Sequence, residues 1–270
     1  MQLHESTDPE TFAARAGGFL AAREAENNLF FGILHGLRTS PSLYPDGFWL
    51  ATVEVEGEVV GAALQTPPNN VVVTRMPERA VASIVEARPR APGFIGPEAT
   101  VAAVMRAASR RATIPMRQRI YECAAVEPVP AAQGTARVAG DADDELVLEW
   151  RRAFGEELRE PGSGPSAVSR YRALRASGNV WLWDDAGPAA MALVTGPTPS
   201  GIRVGGVYTP PERRRRGYAT SLVAEVTSHQ LAAGRRFCFL FTDLANPTSN
   251  AIYQRIGYRP VCDMLDCRFE

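Results

Sequence analysis

The chain contains no lysine. Its basic side chains are arginine and three histidines, so a phosphate loop ending in Gly-Lys-Ser/Thr has no residue to complete it. Cysteine is scarce too. Cys123, Cys238, Cys262 and Cys267 show neither Cys-x-x-Cys spacing nor a Cys/His pattern suited to zinc. They read as reduced core thiols, and neither a disulfide nor a metal is expected. His4, His35 and His229 are scattered and form no triad or ligand spacing. An excess of one charge is also missing: 29 basic residues face 30 acidic ones, for a formal net charge of -1. No global positive field favours nucleic acid. The sequence has no charged-then-apolar leader and no apolar run long enough to cross a bilayer, so a soluble, cytoplasmic protein with no membrane partner is expected. Arginine in place of lysine, with abundant alanine and proline, suggests a GC-rich bacterial genome.

What is present is concentrated late in the chain. An apolar run from Ile202 to Tyr208 leads through Thr209 and two prolines to Arg213, Arg214, Arg215, Arg216 and Gly217, and then directly into a helical stretch from Tyr218 onward. A strand, a basic loop and a helix start in that order make an anion site. The first helical N–H groups lack intrahelical partners, and the helix dipole adds partial positive charge there. Gly217 and Ala219 keep the backbone approachable for a diphosphate. A dinucleotide fingerprint requires Gly-x-Gly-x-x-Gly after an early strand, and this arginine-rich turn is neither early nor glycine-rich.

Arg214-x-x-Gly217-x-Ala219 resembles the (Gln/Arg)-x-x-Gly-x-(Gly/Ala) signature of the GNAT superfamily of N-acetyltransferases. A second element strengthens the resemblance. After an aromatic-rich strand candidate, Phe237 to Thr242, comes Asn246-Pro-Thr-Ser-Asn250-Ala-Ile-Tyr253-Gln-Arg-Ile-Gly257-Tyr258. It is similar to the GNAT pattern Asn-x-x-(Ser/Thr)-Asn-x-x-Tyr-x-x-x-Gly-(Tyr/Phe). Asn246 before Pro247 suits a helix start, and Gly257 suits its stop.

The implied fold is α/β (α+β), an acyl-CoA N-acyltransferase fold with a mixed, mostly antiparallel sheet. The length accommodates two modest domains, and the Pro/Ala/Gly-rich stretch from Glu127 to Gly134 reads as a linker. Residues 134–270 would form the GNAT domain. Its expected order is a strand at 135–139, a helix from Asp141 with a Leu146, Trp150, Phe154 and Leu158 stripe, a loop at 161–165 and a helix at 166–177. Strands at 179–183, 189–195 and 202–208 follow, then helix, strand, helix and a last strand at 263–269. Residues 1–127 read as a degenerate copy that has lost its cofactor loop. Phe48 to Val53 resembles Val180 to Trp183, Gly61 to Pro67 resembles Ala189 to Pro197, and Met76 to Arg79 falls where the loop should be. This half is expected to wall the acceptor pocket.

The resemblance implies that the strand ending at Val207, Tyr208 and Thr209 splays from the 239–242 strand and admits the pantetheine arm of acetyl-CoA. Backbone groups of Val207 and Thr209 would hold the thioester, one N–H polarising its carbonyl. The amides of Arg214, Arg215, Arg216, Gly217, Tyr218, Ala219 and Thr220 would take the pyrophosphate, and Asn246 and Asn250 would bind pantetheine or the helix start. Tyr253 matches the tyrosine that faces the coenzyme A sulfur and is the candidate general acid. The base is not legible. Glu149 and Glu157 beside the Trp150/Phe154 stripe are candidates, with solvated helix carboxylates as the plainer reading, and Glu212 reads as a turn residue. The expected function is acetyl-CoA-dependent transfer of acetyl to a primary amine, a small molecule or peptide, by direct attack in a ternary complex without metal. A catalytically silent acyl-CoA-binding or regulatory module is the alternative. A nucleic-acid role for the arginine run lacks aromatic platforms, and no nucleic-acid partner is expected. A homodimer could form through a last-strand edge or the degenerate half.

Overall fold

A computed structural model describes residues 1–158 and 165–270. The loop expected at 161–165 lies outside them, except for Pro165, which opens a helix. The first half runs β1 (Gln2–Ser6), α1 (Pro9–Ala21), α2 (Asn28–Thr39), β2 (Trp49–Val55), β3 (Glu58–Gln65), β4 (Val71–Val73), α3 (Glu78–Ala87), β5 (Gly93–Pro97), α4 (Glu98–Ala108), β6 (Ala112–Cys123). The second repeats that order: β7 (Thr135–Val138), α5 (Asp144–Glu157), α6 (Pro165–Ala176), β8 (Val180–Asp184), β9 (Pro188–Thr195), β10 (Gly201–Tyr208), α7 (Tyr218–Ala232), β11 (Phe237–Asp243), α8 (Pro247–Ile256), β12 (Arg259–Phe269). Among the described residues no helix is long and apolar enough to cross a membrane.

The twelve strands of the described residues form one sheet, ordered β1-β2-β3-β4-β5-β12-β6-β11-β10-β9-β8-β7. Among the described residues only β4–β5 and β10–β11 pair in parallel. The final strands are exchanged. β12 pairs with β5 through Met264↔Pro97 to Arg268↔Gly93, while β6 pairs with β11 through Cys238↔Cys123 to Asp243↔Gln118. β6 and β12 also pair with each other, so each half completes the other's sheet. This corrects the expectation that the last strand could offer an edge to a partner: β12 has neighbours on both sides. It also begins at Arg259, ahead of the expected Asp263, because the ladder absorbs Pro260 at a register shift.

Apolar pattern explains the layers. α7 is buried on most sides, with Leu222, Val223, Ala224 and Val226 packed under Ala190, Ala192 and Val204 of the sheet. Alanines on β9 let this helix sit close. On the opposite face α5 buries Val147 and Trp150 against Leu182, Met191 and Tyr208, with Leu146 and Phe154 only partly covered. The expected stripe is therefore rotated toward Val147, one turn before Trp150. Each fully buried Leu or Val contributes roughly 1.5–3 kcal/mol.

One carboxylate fastens the halves. Glu24, just after α1, accepts from the Ser200 amide at 2.7 Å, the Gly201 amide at 3.0 Å, the Ser200 hydroxyl at 2.6 Å and the Thr198 hydroxyl. Burial pushes its pKa up, but these bonds overcome that and hold it below the ordinary 4.5. A carboxyl with a lowered folded pKa stabilises above its unfolded pKa, and the contribution is lost as pH falls through the folded value. Glu24→Gln is expected to cost about 1–3 kcal/mol at neutral pH. Thermal melts of parent and variant should approach each other as pH falls below the ordinary 4.5 and through the folded value; a gap that does not narrow contradicts the charged role.

Candidate active site

β10 and β11 pair at Gly201↔Phe237, Ile202↔Cys238 and Arg203↔Phe239, and then part. The parting has a local cause. Between Gly205 and Tyr208, β10 spends three steps against two on β9, a bulge with Gly206 at φ +57°. A Cβ on Gly206 would lie 2.9 Å from Leu193 and would force the bulge to shift. The first half does not splay in this way. An ideal Cβ on Gly96 of β5 would stand 2.5 Å from the Val73 carbonyl of β4, so those strands remain in contact at their ends. Only residues 74–77 join β4 to α3, against 209–217 between β10 and α7.

The longer connection forms the anion loop. A short 3-10 turn, Pro211–Arg213, leads to Arg215 at φ +65° and Gly217 at φ +83°, and α7 starts at Tyr218 with no side-chain cap on its first amides. Arg215 holds a left-handed conformation that costs a non-glycine residue about 1–3 kcal/mol and that clusters at ligand sites. Arg215 and Arg216 are exposed and have no carboxylate partner among the described residues. Ala219 is half-buried. Tyr218 and Thr220 point inward; the Tyr218 hydroxyl donates to Asp185. These residues fit a diphosphate through amides and free guanidiniums.

Arg214 is used differently. Its Nε donates to the Thr209 carbonyl at 2.8 Å, its Nη2 bonds Glu157 at 2.6 Å, and its guanidinium lies over the Tyr208 ring. It ties the end of β10 to α5. Glu157 is thus engaged with Arg214, Glu149 is exposed, and neither lines the cavity that opens from the β10–β11 gap.

That cavity, about 1210 Å³, carries Val207, Asn246 and Tyr253 on its walls, together with two carboxylates that spacing did not single out, Glu156 and Asp243. Leu29, Ile95, Met116 and Gln118 show that the first half does wall it. Phe154 lines it, whereas Trp150 packs on Tyr208, and Trp181 and Trp183 belong to the core beneath α7. Tyr253 is 9% exposed and stacks edge-on against Tyr258. Its hydroxyl has no hydrogen-bond partner among the described residues, and burial pushes its pKa up to about 12. Thr209 Oγ1 is buried without a partner among the described residues. Asn246 caps α8, accepting from the Ser249 amide at 3.0 Å. The Asn250 amide is spent on structure: it donates to the Asp243 and Asn246 carbonyls and accepts from Tyr121. Asn250 therefore serves the helix start.

A strand pair thus parts at a bulge, the following helix starts without a side-chain cap, and a buried tyrosine lines the cavity. Solved structures share the whole architecture. An acetyltransferase of the GNAT family from Colwellia psychrerythraea aligns over 100% of both chains, with a TM-score of 0.62 at 12% identity. The chain has the GNAT fold. A GCN5-related N-acetyltransferase from Sphaerobacter thermophilus covers 98% of this chain and 95% of its own (TM-score 0.65, 17% identity). A tandem GNAT protein from the clavulanic acid biosynthesis pathway covers 98% and 97% (TM-score 0.60, 16% identity), in keeping with the duplicated element order seen here. Residues 189–265, which include the arginine-rich loop, the bulge and Tyr253, match the family model described as FR47-like protein. A sequence search of curated proteins gives no match.

Proposed function

We propose that this protein transfers the acetyl group of acetyl-CoA to a primary amine, by direct attack while both are bound. The observation that carries the reading is the parting of β10 from β11 at a bulge whose Val207 lines the same cavity as Tyr253, followed along the chain by an α7 N-terminus without a side-chain cap. Acetyl-CoA as substrate supplies an activated thioester carbonyl and a thiolate leaving group. The amides from Arg215 to Ala219 bind its diphosphate, and backbone groups at the bulge around Val207 orient the carbonyl and stabilise charge on its oxygen. Tyr253 gives its proton to the departing sulfur. A phenol at about 12 is well matched to this only because the same dry surroundings raise the basicity of the thiolate.

The amine must lose a proton, and the carboxylates that line the cavity take precedence over Glu149 and Glu157. Asp243 sits at the mouth of the gap, its Oδ1 accepting from the Ala245 amide at 2.8 Å. Asp243→Asn keeps that acceptor and removes the base. It is expected to lower kcat/KM about 100-fold with an unchanged melting temperature; a loss seen instead with Glu156→Gln would move the role there. The reading as a whole is tested by thiol release from acetyl-CoA across a panel of primary amines. Amine-dependent release supports transfer. Saturable acetyl-CoA binding without release on any amine favours the silent module.

A further inference from the structure

Arg203 lies on β10 two residues before the bulge, in a stretch otherwise made of apolar residues and glycine. Its neighbours Ile202 and Val204 turn into the core beneath α7, while Arg203 lines the cavity on the opposite face. Its Nε donates to Thr195 Oγ1 at 3.2 Å, and its guanidinium lies 5.8 Å from the centre of the Phe241 ring. Two glycines make the notch that holds it. A Cβ on Gly196 would stand 2.8 Å from Nη2, and one on Gly32 of α2 would stand 3.9 Å from it.

What the notch lacks is a carboxylate. Among the described residues none forms an ion pair with Arg203, whereas Arg119 on β6 is matched by Asp263, and Arg137 on β7 by Asp143 and Asp184. Desolvation, with nothing to oppose it, pulls the Arg203 pKa below its ordinary value. Arg203 is half-buried, and a guanidinium partly withdrawn from water without a counter-charge is one that an arriving anion can match. The planar fork of arginine suits a carboxylate, which it binds through two parallel hydrogen bonds.

We propose that Arg203 is the carboxylate-binding residue of the acceptor subsite, so that the acceptor is a primary amine that also carries a carboxylate. The proposal rests on the acyltransferase reading, because it places Arg203 and the Val207–Tyr253 gap on the walls of one cavity. The amine would face the gap while the carboxylate docks on Arg203 beside Phe241.

The test uses the full chain and matched pairs: free amino acids and short peptides, each beside its own C-terminal amide. Two readouts are taken, the shift in melting temperature with coenzyme A present and the release of thiol from acetyl-CoA. The parent is expected to prefer the free carboxylate by about 30-fold or more in kcat/KM, and to be thermally shifted by it alone. Arg203→Met should erase both differences while acetyl-CoA affinity is kept. Its unliganded melting temperature should hold, since the half-buried guanidinium has no ion-pair partner among the described residues to leave behind. Arg203→Lys should retain a reduced preference, because the charge remains and the fork is lost. Equal use of acids and amides by the parent, or an undiminished preference in Arg203→Met, overturns the proposal. A carboxylate-specific, Arg203-dependent shift without any thiol release supports the anion site and contradicts acyl transfer.

Discussion

Replacing Tyr253 with phenylalanine is expected to lower kcat by about 100-fold or more while leaving the affinity for acetyl-CoA within about threefold of the parent. The substitution deletes one hydroxyl that has no hydrogen-bond partner among the described residues, so little folding energy is at stake. The ring that packs edge-on against Tyr258 remains. A fall in kcat without a change in binding is the signature of an interaction made only as the bond breaks. The pH profile gives a second check. With its pKa raised to about 12 by burial, the phenol stays protonated throughout the neutral range. Any alkaline limb below about pH 10 must then belong to another group and should survive in the variant. Unchanged kcat in Tyr253→Phe removes this residue from the chemistry.

Ala219→Glu should abolish acetyl-CoA binding, weakening Kd at least 100-fold, or roughly 2.7 kcal/mol. Ala219 is the second residue of α7, half-buried and adjacent to the uncapped amides. A carboxylate there is favourable for the helix, because it complements the dipole, and unfavourable for a diphosphate competing for the same amides. Fold and function are thereby separated: the melting temperature should hold or rise as binding disappears. Gly217 offers a poorer test. Its φ of +83° would strain the turn under any side chain, so lost binding and lost turn geometry would not be told apart. Full acetyl-CoA affinity in folded Ala219→Glu would place the diphosphate elsewhere.

The residues that were legible in the chain owe it to backbone demands that few side chains satisfy. Gly217 and Gly257 both hold positive φ, Asn246 and Pro247 form a cap, and Tyr253 follows at helical spacing, so their order carried the second-half fold and much of the site. The strand exchange was hidden. β6 contains Pro115, which argues against an interior strand, yet the ladder with β12 accommodates it at a register shift between Thr113 and Met116. Pairing of β12 with β5 spans most of the chain, and local pattern holds no record of such a contact. Arg203 left only a faint signal, a lone charge in an apolar, glycine-rich strand. Its importance depends on the absence of a carboxylate neighbour, which is a property of packing. The cavity carboxylates were missed for the same reason: Glu156 differs from Glu149 and Glu157 only in where α5 turns it.

Calorimetric titration of the full chain with acetyl-CoA tests the central claim most directly. One splayed strand pair, one uncapped anion loop and a zipped first half predict saturable binding of a single equivalent per chain. The absence of measurable binding to the folded protein would contradict the account and would leave the bulge, the loop and Tyr253 as relics of a fold without its chemistry.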